Sequence, residues 1–495
     1  MHRFILVISL VFFIWSGVSA AAQPQSTKQP ASPPAAKSEG TEPFRLPDVT
    51  AAKWTGDLDG MIQRRQIRIL VPYSKLFYFV DKGTQRGIAY DLGRMFEDEL
   101  NKKLKNRNIR VHVMFIPVSR DELIPGLTQG RGDIAVGNIT ITPERRKQVD
   151  FSIPNLRNIS EIVVTAPDAP PVATAEDLSG REVYVRPSSS FMESLKALND
   201  RLAKAKKAPV KIRPAPETLE MDDILEMVAA GLVPATIADQ YVAEFWSKVF
   251  PKLVLNKSAT LRTGGEVGWM FRKNSPQLKA EIDTFLARFP EGSAARNQML
   301  QKYLQGTRWV KAARSGAELA KFKRTVEIFR KYSDKYQLDY LLMIAEGYQE
   351  SALNQEARSP VGAIGVMQVM PPTGKDMNVG DITQLDPNIH AGVKYIRFMM
   401  DQFFAKEPMD QLNKGLFTFA AYNAGPGRVK QLRAAAAKRG LDPNKWFNNV
   451  ELIAAEKIGR ETVQYVSNIY KYYLAYQLVV EQQKEREAAK PPVKK

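Results

Sequence analysis

The spacing of apolar residues changes character once along this chain, near Trp309, and that change constrains the fold more than any other feature. Before it, short apolar runs such as RIRILVPY, VHVMFIPV, DIAVGNITIT, EIVVTA, REVYVRP and ATIAD alternate with amphipathic patterns such as IAYDLGRMFEDEL. Short apolar runs bounded by turn residues read as strands, and strands alternating with helices predict an α/β domain. After it, the apolar positions keep helical spacing, as in Leu338, Leu341, Leu342, Ala345 and Tyr348, and strand signals disappear. A chain of 495 residues exceeds what one hydrophobic core organises. We therefore place an α/β domain over 61–306 and an all-α domain over 307–480, meeting in the basic stretch from Gly306 to Gly316.

The ends read differently. Arg3 precedes an apolar run from Phe4 to Val18 and then the small residues Ser19 to Ala22, the order of a secretory signal peptide over 1–22. The run is short for a spanning helix, which favours export over anchoring. The Pro-, Ala- and Lys-rich stretch that follows has almost nothing to bury, so 23–60 is expected to be a disordered linker, and EQQKEREAAKPPVKK, 481–495, a charged tail. Export permits disulfides, yet the chain has no cysteine, so packed cores must supply its stability and lipoprotein attachment is excluded. Lys and Arg number 71 against 53 Asp and Glu, a net charge of +18. That balance suits a polyanionic partner, cell-wall polymer or anionic lipid, or merely a solvated basic surface. Nucleic acid is disfavoured because an exported protein rarely meets it. His2, His112 and His390 have no ligand spacing, so neither a metal nor another cofactor is expected.

The densest chemistry lies between residues 344 and 374, IAEGYQESALNQEARSPVGAIGVMQVMPPTG. A helix capped by Asp339 and running to Ser351 puts Glu350 in its last turn. There the negative end of the helix dipole and apolar neighbours both disfavour the carboxylate, as a general acid at neutral pH requires. Glu346, one turn earlier, is the alternative acid, without the adjacent serine and glycine-rich turn. Gly362 and Gly365 let main-chain groups approach a ligand, and Gln368 is placed to orient a sugar amide or hydroxyl. FAAYNAGPGRV, 419 to 429, and ETVQYVSNIYKYY, 461 to 473, complete a groove suited to a planar polar polymer.

Glu350-Ser351, Gly365-Val366-Met367-Gln368, Met370-Pro371, Ala421 to Gly425 and Glu461-Thr462 with Tyr465-Val466 together resemble the lysozyme-like catalytic domain of the lytic murein transglycosylases. Val366 replaces the usual leucine. The resemblance implies an enzyme, a lytic murein transglycosylase acting on peptidoglycan glycan strands, with Glu350 catalytic and Ser351, Gly365, Met367, Gln368, Tyr422, Asn423 and Tyr465 around the saccharide. Glycosidases usually employ two carboxylates. One suffices when the substrate supplies the nucleophile, closing a 1,6-anhydro ring. A hydrolytic muramidase using water is the alternative chemistry.

DIAVGNITITPERRKQVDFSIP, 133 to 154, and REVYVRPSSSFMESL, 181 to 195, are similar to the periplasmic solute-binding proteins for polar amino acids. That likeness implies two lobes closing on a ligand, with Arg145 gripping a carboxylate, Thr140 donating to the ligand, Asp239 holding an amine, and Arg186 and Ser189 in the second-lobe loop. Asn138 stands where glycine is common, and the loop Arg186 to Ser190 lacks the family's glycine turn, so a larger zwitterion such as a muropeptide is favoured over a simple amino acid, the alternative being a domain that merely docks or spaces the enzyme. The full expectation is an α+β multidomain chain, a two-lobed periplasmic-binding-protein-like sensor followed by an all-α lysozyme-like domain. Both domains in this order resemble lytic transglycosylases of the periplasm associated with the outer membrane. A non-enzymatic solute-binding receptor explains only the first half.

Overall fold

The computed structural model describes residues 43–46, 52–105, 108–305 and 316–489. The first lobe holds α1 (Leu58–Gln63), β1 (Gln66–Pro72), the hairpin β2 (Phe79–Asp81) and β3 (Thr84–Arg86), α2 (Ile88–Lys103), β4 (His112–Val118), α3 (Leu123–Thr128), β5 (Ile134–Ala135), α4 (Pro143–Gln148) and β6 (Asp150–Phe151). The second lobe holds β7 (Leu156–Thr165), β8 (Glu182–Val185), α5 (Ser190–Lys204), β9 (Lys211–Pro214), α6 (Met221–Ala229), β10 (Ala235–Asp239), α7 (Gln240–Ser247) and β11 (Val254–Val267). The chain then returns to the first lobe as β12 (Met270–Phe271), α8 (Pro276–Ala287) and α9 (Ala294–Leu300).

One sheet organises the first lobe, in the order β4-β1-β5-β12-β6, with β1 parallel to β4 and β5 and β12 antiparallel. Ile67, Ile69, Leu70 and Val71 of β1 are all buried. A parallel strand covered on both faces has no polar side, so these four residues are apolar and its one charged residue, Arg68, is buried in an ion pair with Asp133 at 3.0 Å. The second lobe pairs β7 with β10 and β11 in an antiparallel sheet and β8 with β9 in parallel. Two crossings join the lobes, at 151–156 and 267–270.

The second domain runs through α10 (Gly316–Tyr336), α11 (Tyr340–Ser351), α12 (Pro371–Met377), α13 (Leu385–Met399), α14 (Gln411–Ala424), α15 (Pro426–Lys438), α16 (Glu451–Lys457) and α17 (Arg460–Ala489). Its core gathers Phe329, Leu342, Met367, Ile396, Phe417, Trp446 and Ile469, all fully buried. Asp339 caps α11, accepting from Leu341 N at 2.8 Å, so the helix begins where its sequence signal stands.

The two domains are packed together. Gly83, in the β2–β3 turn with φ +83°, lies where an added Cβ would meet the Tyr348 ring at 3.0 Å. Its carbonyl accepts from Tyr476 Oη at 2.5 Å, and Tyr348 Oη donates to Thr84 Oγ1 at 3.1 Å. Arg65 pairs with Glu451, and Lys471 of α17 approaches Glu97 at 3.6 Å. Gln483, in the last turns of α17, donates to Tyr73 Oη at 2.6 Å.

Two expectations at the ends change. The signal segment 1–22 and the linker up to residue 42 lie outside the described residues, but part of the remaining linker is built into the fold. Phe44 bridges Leu338, its N donating to Gln337 O and its O accepting from Asp339 N, both at 2.9 Å. Leu46 is 2% exposed, and Trp54 stacks under the Arg64 guanidinium at 3.9 Å. Three isolated apolar residues carry this docking, too few to give a period. The expected tail is also helical as far as Ala489, with residues 490–495 outside the described range. We expect Leu46→Ala to lower the unfolding free energy by about 2–3 kcal/mol, as for other buried leucines, measurable by urea denaturation.

Candidate active site and sensor cleft

Glu346 and Glu350 stand one turn apart on α11, which puts both carboxyls on the same face. Tyr465, near the start of α17, reaches between them. Its Oη lies 2.6 Å from Glu346 Oε1 and also contacts Glu350 Oε1. A phenol has one hydrogen, so only one of these contacts can be a donation from tyrosine. The other requires a carboxyl group that donates to the phenol oxygen, and the trio therefore holds a shared proton. Glu346 is completely buried, and burial followed by the neighbouring Glu350 pushes its pKa well up. Glu350 is half-buried, and burial raises its pKa from 4.5 to about 7, against the opposing hydrogen bond from Tyr465. The sealed glutamate keeps its proton, and the one that reaches solvent titrates near neutrality.

The segment after α11 is tied to this pair by backbone. Ala352 ends the helix in the left-handed region, φ +53°. Ser351 Oγ donates to Val366 O at 2.9 Å and accepts from Asn354 N at 3.0 Å. Gly365, φ +77°, is pressed so closely on Asn388 that a Cβ would lie 2.6 Å from its Nδ2. Asn388 Oδ1 in turn accepts from Met367 N at 2.9 Å. Tyr422 Oη donates to Met367 O at 2.6 Å, and Thr462 Oγ1 donates to Asn423 Oδ1 at 2.7 Å.

The structure thus brings the expected residues together while separating their tasks. The Met367 side chain is fully buried against Gly392, so the expected side-chain contact with sugar is corrected to core packing. Ser351 and Gly365 shape the backbone, their polar groups spent on the chain itself. Gln368, φ +43°, folds its amide back onto Gly365 O at 2.8 Å while remaining half-buried. Sequence reasoning set Glu346 aside as a competing acid and missed it as a partner. The signal was its i, i+4 spacing from Glu350.

In the first domain, Thr140, Arg145, Arg186, Ser189 and Asp239 line one cavity between the lobes, with an envelope of about 450 Å³. The lobes meet there through the chain's own polar groups. Arg145 donates to Thr140 O at 2.7 Å and, across the cleft, to Ser188 O at 2.9 Å; burial lowers its pKa to about 10. Arg120, unforeseen in the sequence, holds Glu220 through Nε–Oε1 at 2.8 Å and Nη2–Oε2 at 2.9 Å. Arg186 donates to the same carboxylate at 3.0 Å and to Leu219 O at 2.7 Å, so it is internally paired rather than free to grip a ligand, a correction to its expected role. Ser189 caps α5 and donates to Arg186 O at 2.6 Å. Asn138 Nδ2 donates to Asp239 Oδ2 at 2.6 Å, and Tyr241 Oη donates to Asn138 Oδ1 at 2.6 Å. Burial, then Glu161, raises the Asp239 pKa to about 7.

Residues 67–306 match the family of bacterial extracellular solute-binding proteins, family 3, and residues 327–445 match the transglycosylase SLT domain. A membrane-bound lytic murein transglycosylase F from Desulfosudis oleivorans is 26% identical over 435 residues, spanning 83% of this chain and 90% of that protein. One from Aeromonas hydrophila is 28% identical over 440 residues, spanning 85% and 84%. Among solved structures, an ancestral amino acid-binding protein is 26% identical with a TM-score of 0.41, covering 50% of this chain and 98% of its own.

A carboxyl whose pKa rises on folding contributes stability that is complete below its unfolded value and is lost as pH rises through the folded one. For Glu350 that window runs from 4.5 to about 7, and the more deeply buried Glu346 extends it upward. Glu346→Gln keeps an acceptor for Tyr465 and removes one titration. We expect its melting temperature to fall less than that of the parent between about pH 5 and pH 8, as scanning calorimetry reads.

Proposed function

We propose that this chain, a member of the lytic murein transglycosylases that carry a solute-binding module ahead of the SLT module, cleaves peptidoglycan by using Glu350 as acid and then base. One observation carries the chemistry: two carboxyls are present, yet both touch a single phenol oxygen and only one reaches solvent. Two carboxylates that attack a sugar from opposite faces stand about 5 to 9.5 Å apart with the ring between them. No ring fits between groups that share one hydroxyl. The nucleophile must then come from elsewhere, and the C6 hydroxyl of the N-acetylmuramic acid residue is within the substrate itself.

Protonated Glu350 gives its hydrogen to the glycosidic oxygen as the bond from C1 breaks. The leaving N-acetylglucosamine departs with that proton, and positive charge develops at C1, where the N-acetyl oxygen offsets it. Glu350, now a carboxylate, takes the C6 hydroxyl proton while that oxygen bonds to C1. The product is a 1,6-anhydro end and no water is consumed. Glu346 and Tyr465 are positioning residues that hold the Glu350 proton near its release point. Tyr422 and Gln368, held by backbone carbonyls, and Asn423, held by the Thr462 hydroxyl, shape the saccharide wall.

The first domain is read as a sensor for an amino acid or a muropeptide. Among the described residues the guanidinium of Arg145 donates to carbonyl oxygens, so a ligand carboxylate would replace neutral acceptors by a charge-matched pair. The Tyr348 and Tyr476 contacts to the β2–β3 turn offer a route from lobe position to α11 and α17. Relatives named membrane-bound support association with a membrane, which this reading takes to be the outer membrane. Among the described residues no helix is long and apolar enough to cross a membrane.

Mass spectrometry of products from purified peptidoglycan tests the chemistry. Ends lighter by one water are expected, and ends of ordinary hydrolytic mass refute it. Glu350→Gln should reduce turnover by about 10²–10⁴. In the parent, the turnover rate should decline as pH rises through about 7, because only the protonated acid begins the cycle. Arg145→Ala should weaken amino-acid or muropeptide binding by about tenfold or more in calorimetry, and a ligand that binds without altering cleavage of isolated sacculi would sink the regulatory reading.

A further inference from the structure

A second cavity in the first domain shares only Phe77 and Asn138 with the cleft between the lobes. Its enclosed space is about 50 Å³, inside an envelope of about 750 Å³ that counts the open solvent at its mouth. Three helices wall it: Leu92 and Met95 come from α2, Leu286 and Phe289 from the end of α8 and its exit, and Met299 and Leu300 from α9. The strands that cross between the lobes close it, through Asn155 and Leu156 on one side and Val267 to Trp269 on the other.

Into this apolar surround α9 places Arg296, which is 8% exposed. Among the described residues no hydrogen bond or ion pair reaches its guanidinium; Glu291 and Tyr241 act on it only from a distance. A buried guanidinium without a partner is unfavourable for the empty protein and favourable for any anion that reaches it. The wall carries two buried polar atoms without a hydrogen-bond partner, Trp269 Nε1 and Asn155 Oδ1. No Asp or Glu is among the lining residues, so an ammonium has no seat. That separates this cavity from the interlobe cleft, where Asp239 and Arg145 suit a zwitterion.

We propose that this cavity is a second ligand site, one that takes an apolar organic carboxylate, with the head on Arg296 and the body among Leu92, Met95, Leu286, Phe289, Met299 and Leu300. Charge pairing fixes the head bidentately, and burial of the body supplies the remaining affinity. Because the occupant touches both crossing strands, it presses on the hinge whose angle sets the cleft. An acid of this kind would act on the same lobes as the zwitterion without competing for its place.

Calorimetry with the full chain tests this, using octanoate and phenylacetate as probes and octan-1-ol and octylamine as controls. We expect saturable one-to-one binding of octanoate, of phenylacetate or of both, the preferred one identifying an alkyl or an aryl source. The alcohol and amine should bind at least about ten-fold more weakly. Arg296→Gln should cost the acids about ten-fold or more while leaving the alcohol unchanged, and Leu92→Trp, which fills the space, should remove both. Thermal unfolding of each unliganded variant establishes that it is folded. Absence of saturable binding by either acid, or binding that survives both substitutions, overturns the proposal.

Discussion

A single phenolic hydrogen placed between two carboxyl groups is the constraint on which the catalytic half depends. Tyr465 cannot satisfy Glu346 and Glu350 together unless one of them is protonated, so the fold itself demands an acid in this place. Burial then decides which group keeps the proton firmly and which releases it. Glu346 has no room to act on a substrate, but it prevents Glu350 from settling into the ordinary ionised state of a surface glutamate. The helix dipole alone, at the end of a short helix, is a smaller influence.

The helix that carries Tyr465 is long because it serves two domains. Its first turns face the paired glutamates; its middle turns bring Lys471 to Glu97, and its later turns meet Gly83 and Tyr73 of the first lobe. The helix that carries Glu350 touches the same hairpin through Tyr348. A displacement of that hairpin therefore meets both helices at once, and the two residues whose mutual distance governs proton sharing are on those two helices.

What the sequence disclosed follows from how local each signal is. The α11 cap and the acid in its last turn depend on residues adjacent along the chain, and the structure has them where the spacing put them, whereas the expected domain boundary at Gly306–Gly316 lies almost wholly outside the described residues. The cleft residues Thr140, Arg145 and Asp239 also converge as expected. Apart from Glu346, whose i, i+4 spacing from Glu350 was a local signal, the misses are long-range pairings between residues that have no local pattern. Nothing near Arg120 or Glu220 announces that they meet across 100 positions, and their meeting is what occupies Arg186. Met367 was assigned to the sugar from its place in a motif, whereas its side chain is fixed by Gly392, 25 positions away. Phe44, Leu46 and Trp54 dock a stretch whose composition otherwise forbids a core.

The Arg120–Glu220 and Asn138–Asp239 contacts latch one lobe to the other across the cleft. If the cleft takes a solute as proposed, the solute would gain access only in the fraction of molecules in which those latches are open, and its apparent affinity would be reduced by that fraction. On that reading, the set point of the site would lie in the strength of two internal contacts as well as in the fit of the solute.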